Sequence, residues 1–198
     1  MKAPAPRRPQ NLWASMCSLT DTGFTPISED EVRLFQGHSG AAPGQTAVDI
    51  GTGTGEWACE IARLGLAVTG YDSDSAAIEW AREVHERHSA HLHFARCDFT
   101  TGAIPGSLRP GSVDIVSCRH SIHFMDIPRL MTDIRRWLRP DGVLHVTTFV
   151  TKEGSGDRAV GLPEDQVRSL ALGWREHHRY TVDPHQQITA VVLRGPDG

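Results

Sequence analysis

A few residues stand where side chains and backbone could act on one ligand. Asp49 precedes three alternating glycines, Gly51, Gly53 and Gly55, with Thr52 and Thr54 between them. Asp72, followed by Ser73, closes the apolar run Leu66 to Tyr71. Asp98-Phe99 ends a third run, and Arg119-His120-Ser121-Ile122-His123 follows a fourth. Glycine tolerates positive φ and lets a ligand lie against the backbone. A helix that begins at such a loop points free N–H groups at whatever sits there. A carboxylate at the end of the next strand accepts two hydrogen bonds from a ribose diol. Histidine titrates near neutrality, at a pKa of about 6.5, and can take a proton from a reacting group.

The pattern around these residues supplies elements to hold them. Ala47-Val48-Asp49-Ile50 is a short apolar strand, and the glycine loop leads into a helical pattern and a second strand. That is the first half of a nucleotide-binding α/β domain. Upstream, Ser28 with Glu31 three residues later is a capping-box signature that predicts a helix over 29–37. Asp74 or Ser75 caps a helix to about His88, and His91 to Cys97 alternates as a third strand. Val113 to Cys118 forms the fourth strand. Asp126 to Leu138 carries Ile127, Leu130, Met131, Ile134 and Trp137 on one helical face. Val143 to Val150 is the fifth strand, Pro163 to Gly173 a helix, and 174–182 with 187–194 a closing hairpin. The fold expected is a doubly wound α/β domain with a mostly parallel seven-stranded sheet and a C-terminal antiparallel hairpin strand. Residues 1–10 read as a disordered tail, 11–45 as a helical lid segment and 46–198 as the ligand-binding domain. Asn11 to Leu19 within that segment has a short amphipathic pattern.

The loop spacing separates ligand classes. A dinucleotide site reads G-x-G-x-x-G, but the third-glycine position here is Glu56. An acid beside the loop is a poor neighbour for pyrophosphate and a good one for an ammonium group. Val48-Asp49-Ile50-Gly51-Thr52-Gly53-Thr54-Gly55 resembles the first motif of the class I S-adenosylmethionine-dependent methyltransferases. Leu138-Arg139-Pro140-Asp141-Gly142 is similar to that family's L-[KR]-P-G-G turn, with Asp141 in place of the first glycine. The likeness spans about 46–194 and is to the small single-domain bacterial type.

The resemblance implies S-adenosyl-L-methionine as cofactor. It places Asp49, Gly51, Thr52, Gly53, Asp72 and Ser73 around the amino acid and ribose. Asp98 would bond the adenine amino group, with Phe99 against the ring. Arg119 would face the cofactor or an anionic substrate. A sulfonium methyl is already activated, so alignment can supply roughly 7–11 kcal/mol and a base is optional. His120 and His123 are the candidate bases for a hydroxyl, amide or protonated amine. Trp13 and Phe24, in the segment before the first strand, are expected either to shape the substrate pocket or to pack on the domain. Two other readings stay open: a catalytically degenerate binding or scaffolding subunit, and an NAD-dependent oxidoreductase, against which Glu56 speaks.

Composition narrows the partners. The net charge is −4, which argues against a nucleic-acid backbone as partner. The [DN]-P-P-[FY] signature of base-nitrogen methylases is missing after the fourth strand, where Ser117-Cys118-Arg119-His120 stands. A small-molecule methyl acceptor is therefore expected, taking the methyl on O, N, S or C. No apolar run reaches the roughly 18 residues of a membrane span. Together with four separated cysteines read as buried free thiols, this gives a cytoplasmic expectation. H-x-x-H at His120 and His123 lacks the i, i+4 spacing of a helical zinc pair, so no metal is expected. Short substrate loops leave room for a homodimer in which a second copy completes the pocket.

Overall fold

Five apolar strands, joined by amphipathic helices except between the third and fourth, bury both faces of one sheet. The structure, a computed structural model, describes residues 26–151, 160–183, 185 and 187–196. The tail, the amphipathic pattern at 11–19, Trp13 and Phe24 lie outside the described residues.

Helix α1 (Glu29–Ser39) is followed by β1 (Thr46–Ile50), α2 (Glu56–Arg63), β2 (Ala67–Asp72) and α3 (Ser75–Val84). Then come β3 (Leu92–Arg96), β4 (Val113–Arg119), α4 (Ile127–Trp137) and β5 (Leu138–Thr151). The chain closes with β6 (Leu162–Pro163), α5 (Glu164–Ser169), β7 (Trp174–Asp183) and β8 (Ile188–Pro196). The main sheet runs β3-β2-β1-β4-β5-β8-β7, and β6 adds a short pairing to β5. Strands β1 to β5 are parallel, while β8 runs antiparallel to both β5 and β7. The order reverses between β1 and β4, where open α/β sheets place their ligands. The expected seven-stranded sheet with its closing hairpin is present.

Local chemistry explains most boundaries. Ser28 Oγ accepts from Glu31 N at 3.1 Å, which starts α1. Only that half of the capping box forms, because the Glu31 carboxylate turns to Arg119 instead. Asp74 caps α3 through Ala76 N and Ala77 N. Helix α3 stops at Val84, and Glu86–His88 forms a separate 3₁₀ turn. Asp126 caps α4, with Pro128 in its first turn. Strand β5 starts at Leu138, ahead of the expected Val143, so the Arg139-Pro140-Asp141-Gly142 turn is extended.

Each face has its own core. Tyr71, Val116, Ile122, Ile134, Trp137 and Leu144 pack under α4. Phe35, Trp57, Ile61, Ile78, Phe94 and Ile115 pack under α1, α2 and α3. Of the four cysteines expected to be buried, Cys17 lies outside the described residues, Cys118 is buried, and Cys59 and Cys97 are only half-buried; these last three are free. Among the described residues no helix is long and apolar enough to cross a membrane.

Candidate functional site

Strand β1 delivers the chain to the glycine loop with Asp49 pointing inward. Asp49 is 1% exposed, and neither carboxylate oxygen has a hydrogen-bond partner among the described residues. Burial pushes its pKa up to about 7; Thr52, Arg119 and Ser117 offset part of the rise. A buried carboxyl group without a partner is expensive, which marks it as awaiting one.

The loop is held from both sides. Gly51 N and Thr52 N donate to Tyr71 O at 2.8 and 3.0 Å, tying the loop to β2. Gly51 adopts φ 72°, and a Cβ there would meet Ser121 Cβ at 2.3 Å. Ser121 Oγ donates to Ile50 O at 2.6 Å, so β4's end is pinned on the turn out of β1. Gly53 N donates to Asp72 Oδ2 at 2.8 Å, and Asp74 N donates to Oδ1 at 2.9 Å. Burial raises the Asp72 pKa, with those backbone N–H groups pulling the other way. A carboxylate has about four lone-pair sites, so Asp72 keeps capacity for a diol. The Thr52 hydroxyl is buried without a hydrogen-bond partner among the described residues.

A shallow, open cleft lies over the carboxyl ends of the strands. Gly51, Asp72, Ser73, Asp98, Phe99 and Ser121 line it, together with Tyr71, Cys97, Thr100, Phe124 and Met125. Asp98 Oδ1 accepts from Thr100 N at 3.0 Å and from Thr100 Oγ1 at 2.6 Å. It is thus a turn cap as well as part of the wall. Phe99 is set edge-on to Tyr71 at 5.8 Å, presenting a fixed aromatic surface.

The structure brings five of the nominated residues together on the cleft, Gly51, Asp72, Ser73, Asp98 and Phe99, and ties Gly53 to it through the hydrogen bond to Asp72. Asp49 and Thr52 lie just beneath. Arg119, His120 and His123 do not line the cleft. The Arg119 guanidinium is held by Glu31 and lies 5.7 Å from the Trp57 ring centroid. His120 has φ 55°, a strained conformation for a side-chain-bearing residue. Its backbone N donates to Thr147 O at 2.8 Å and its ring stacks on Phe149 at 4.5 Å. The His123 ring lies 3.7 Å from that of Phe124. All four ring nitrogens are buried with no hydrogen-bond partner among the described residues. Burial lowers the His120 pKa well below its ordinary range and that of His123 to about 4. Both are neutral at pH 7.

Glu31, Ser121 and Trp57 were not legible as site residues. Glu31 had only its capping-box signal. Trp57 Nε1 donates to Ser117 Oγ at 2.8 Å, beside Asp49, through a contact no local pattern announces.

Comparison with known proteins decides the family. The sequence profile of the methyltransferase domain matches residues 48–146, half of the chain. The chain belongs to the methyltransferase domain family. It is 31% identical over 138 residues to the mitochondrial ubiquinone biosynthesis O-methyltransferase of Schizosaccharomyces pombe, covering 69% of this chain and 50% of that one. It is 28% identical to a probable S-adenosylmethionine-dependent methyltransferase of Saccharomyces cerevisiae, over 73% of this chain and 48% of that one. The chain thus spans about half the length of the curated relatives it matches. A crystal structure of a SAM-dependent methyltransferase from Aquifex aeolicus shares the fold at a TM-score of 0.71, with 17% identity, covering 91% of this chain and 97% of that one. Haemonchus contortus phosphoethanolamine N-methyltransferase 2, in complex with S-adenosyl-L-methionine, gives a TM-score of 0.68 at 18% identity, covering 93% and 56%. The matched residues include the β1–α2 glycine turn, where the cleft and the buried Asp49 are found.

Proposed function

We propose that the protein is an S-adenosylmethionine-dependent methyltransferase acting on a small molecule. The observation that carries this is Asp49, a buried carboxyl group with no partner beneath a glycine loop. The cofactor's amino-acid ammonium is the group such a carboxyl lacks. The rest of the cleft fits as well. Asp72 has lone pairs left for a ribose diol, and Asp98 with Phe99 offers an acceptor and a ring for adenine. When bound, the cofactor supplies a methyl group already activated as a sulfonium.

The chain's own residues then bind, orient and exclude water. Gly51 and Gly53 keep the loop low, and Ser121 fixes the β4 end above it. His120 and His123 remain the candidate catalytic residues. Their low pKa values make them weak bases and good neutral hydrogen-bond partners, each with one donor and one acceptor nitrogen. To hold the proton of an incoming O–H or N–H in line with the methyl, either ring would have to turn into the cleft, which neither lines in this conformation. The described cleft wall carries Asp72 and Asp98 and no Lys or Arg. An uncharged or cationic acceptor therefore suits it better than a phosphorylated one.

Calorimetric titration with S-adenosylmethionine, S-adenosylhomocysteine and NADH tests the reading, on wild type and Asp72→Ala. Micromolar binding of the first two is expected. Losing the hydrogen bonds to an ionised group should weaken it roughly 10–100-fold in the variant. Binding of NADH alone would refute the assignment. Intact cofactor binding without transfer to any phenol, amine or thiol would favour a binding subunit.

A further inference from the structure

Behind the glycine loop lies a buried cluster of charge that the cleft wall does not include. Asp49 on β1 is in register with Ser117 on β4, and Arg119 follows two residues on, facing the same side. Glu31, from α1, accepts from Arg119 Nε at 2.7 Å and from Nη2 at 3.0 Å. Nη2 also reaches Pro26 O at 3.5 Å. Both side chains of the pair are 6% exposed. Trp57 stacks beneath the guanidinium and its Nε1 holds Ser117.

The cluster thus has one guanidinium and two acids: Glu31, paired with it, and Asp49, with no hydrogen-bond partner among the described residues. That is an unbalanced set for an empty protein and a matched one for an amino-acid zwitterion. An ammonium would satisfy Asp49. A carboxylate would meet Arg119 in the two-pronged geometry that Glu31 already uses. Replacing one carboxylate by another conserves the ion pair, so the exchange leaves no buried charge behind on Arg119.

Building on the reading of the cleft as an S-adenosylmethionine site, we propose that Glu31 is a tethered competitor for Arg119. It occupies the place of the ligand's amino-acid carboxylate and so sets the affinity for carboxylate-bearing ligands. Displacement would free only the first turn of α1. Its remainder stays docked by Phe35 against Trp57 and His145, by His38 stacked on Tyr180 at 4.2 Å, and by Arg194 on Ser39 O.

Two ligands isolate the effect. S-adenosylhomocysteine carries the amino-acid end; 5′-methylthioadenosine has the same nucleoside thioether without it. The ratio of their dissociation constants, measured on one sample, is insensitive to any loss of folded protein. If Arg119 is free of Glu31 about a tenth of the time, removing the competitor tightens carboxylate binding roughly tenfold. Glu31→Gln should therefore shift the ratio roughly tenfold toward S-adenosylhomocysteine, with methylthioadenosine unchanged. Glu31→Asp, which keeps the charge, should leave the ratio close to wild type. An unchanged ratio in Glu31→Gln, or a shift toward methylthioadenosine, would overturn the inference while leaving the cofactor assignment intact. Wild type that binds neither nucleoside would overturn both.

Discussion

Asp49 offers a stability measurement that needs no ligand. Its carboxyl group is buried without a hydrogen bond, and its pKa rises from 3.8 to about 7. In the unfolded chain it titrates at the ordinary value. Between those two pH values the native state binds one proton more than the unfolded state. The slope of unfolding free energy with pH is then negative for this group, so stability falls as pH rises. Below about pH 4 both states are protonated and the group costs nothing. Above about pH 7 both are ionised and the cost is complete. At about 1.36 kcal/mol per pKa unit the loss is roughly 4 kcal/mol, an upper figure. Asp49→Asn keeps the shape and removes the titration. Relative to wild type, the variant should gain little at pH 4 and up to roughly 4 kcal/mol at pH 8. For a chain of this length that is a Tm rise of roughly 8–16 °C at pH 8. Thermal melts of both proteins across pH 4–8, without ligand, read it directly. A difference that does not grow with pH, or a variant less stable at pH 8, would refute the reasoning. The same substitution should weaken S-adenosylmethionine binding, since the ammonium loses its counter-charge; stability and ligand binding would move in opposite directions.

Gly51→Ala should lower stability by roughly 2–4 kcal/mol, because φ is 72° and the new Cβ would strike Ser121; thermal denaturation checks it. Gly53→Ala has open space around its Cβ at φ 56°, so it should cost only about 1 kcal/mol of stability while weakening nucleoside binding; equal Tm losses in the two variants would contradict the distinction. Because burial holds the His123 pKa at about 4, its ring stays neutral from pH 5.5 to 8 and the rate profile should show no limb from it there; a limb near pH 6.5 that disappears in His123→Gln would show a solvated, titrating base.

The strands, the glycine turn and the helices between them were readable because each rests on spacing within a few residues. Val48 to Gly55 and the helical face of Leu130, Met131, Ile134 and Trp137 are of this kind. Asp72 ends β2 and Asp98-Phe99 follow β3, places that parallel pairing in register brings to one edge, but the roles expected of Asp98 and Phe99 came from the family resemblance and not from their spacing. Boundaries that depend on packing were less legible. Strand β5 begins at Leu138 because it pairs with Val113, a partner outside any local window.

The sequence by itself determined the fold class, the glycine loop and the positions of the acids that flank it, since alternation and turn chemistry are local. Tertiary structure decided the charges and the neighbours. It left Asp49 without a partner, sealed the nitrogens of His120 and His123 from solvent, and joined Glu31 to Arg119 across 88 residues. Burial and pairing depend on which distant side chains the fold brings together. No spacing along the chain encodes that, because desolvation and Coulomb attraction act through space.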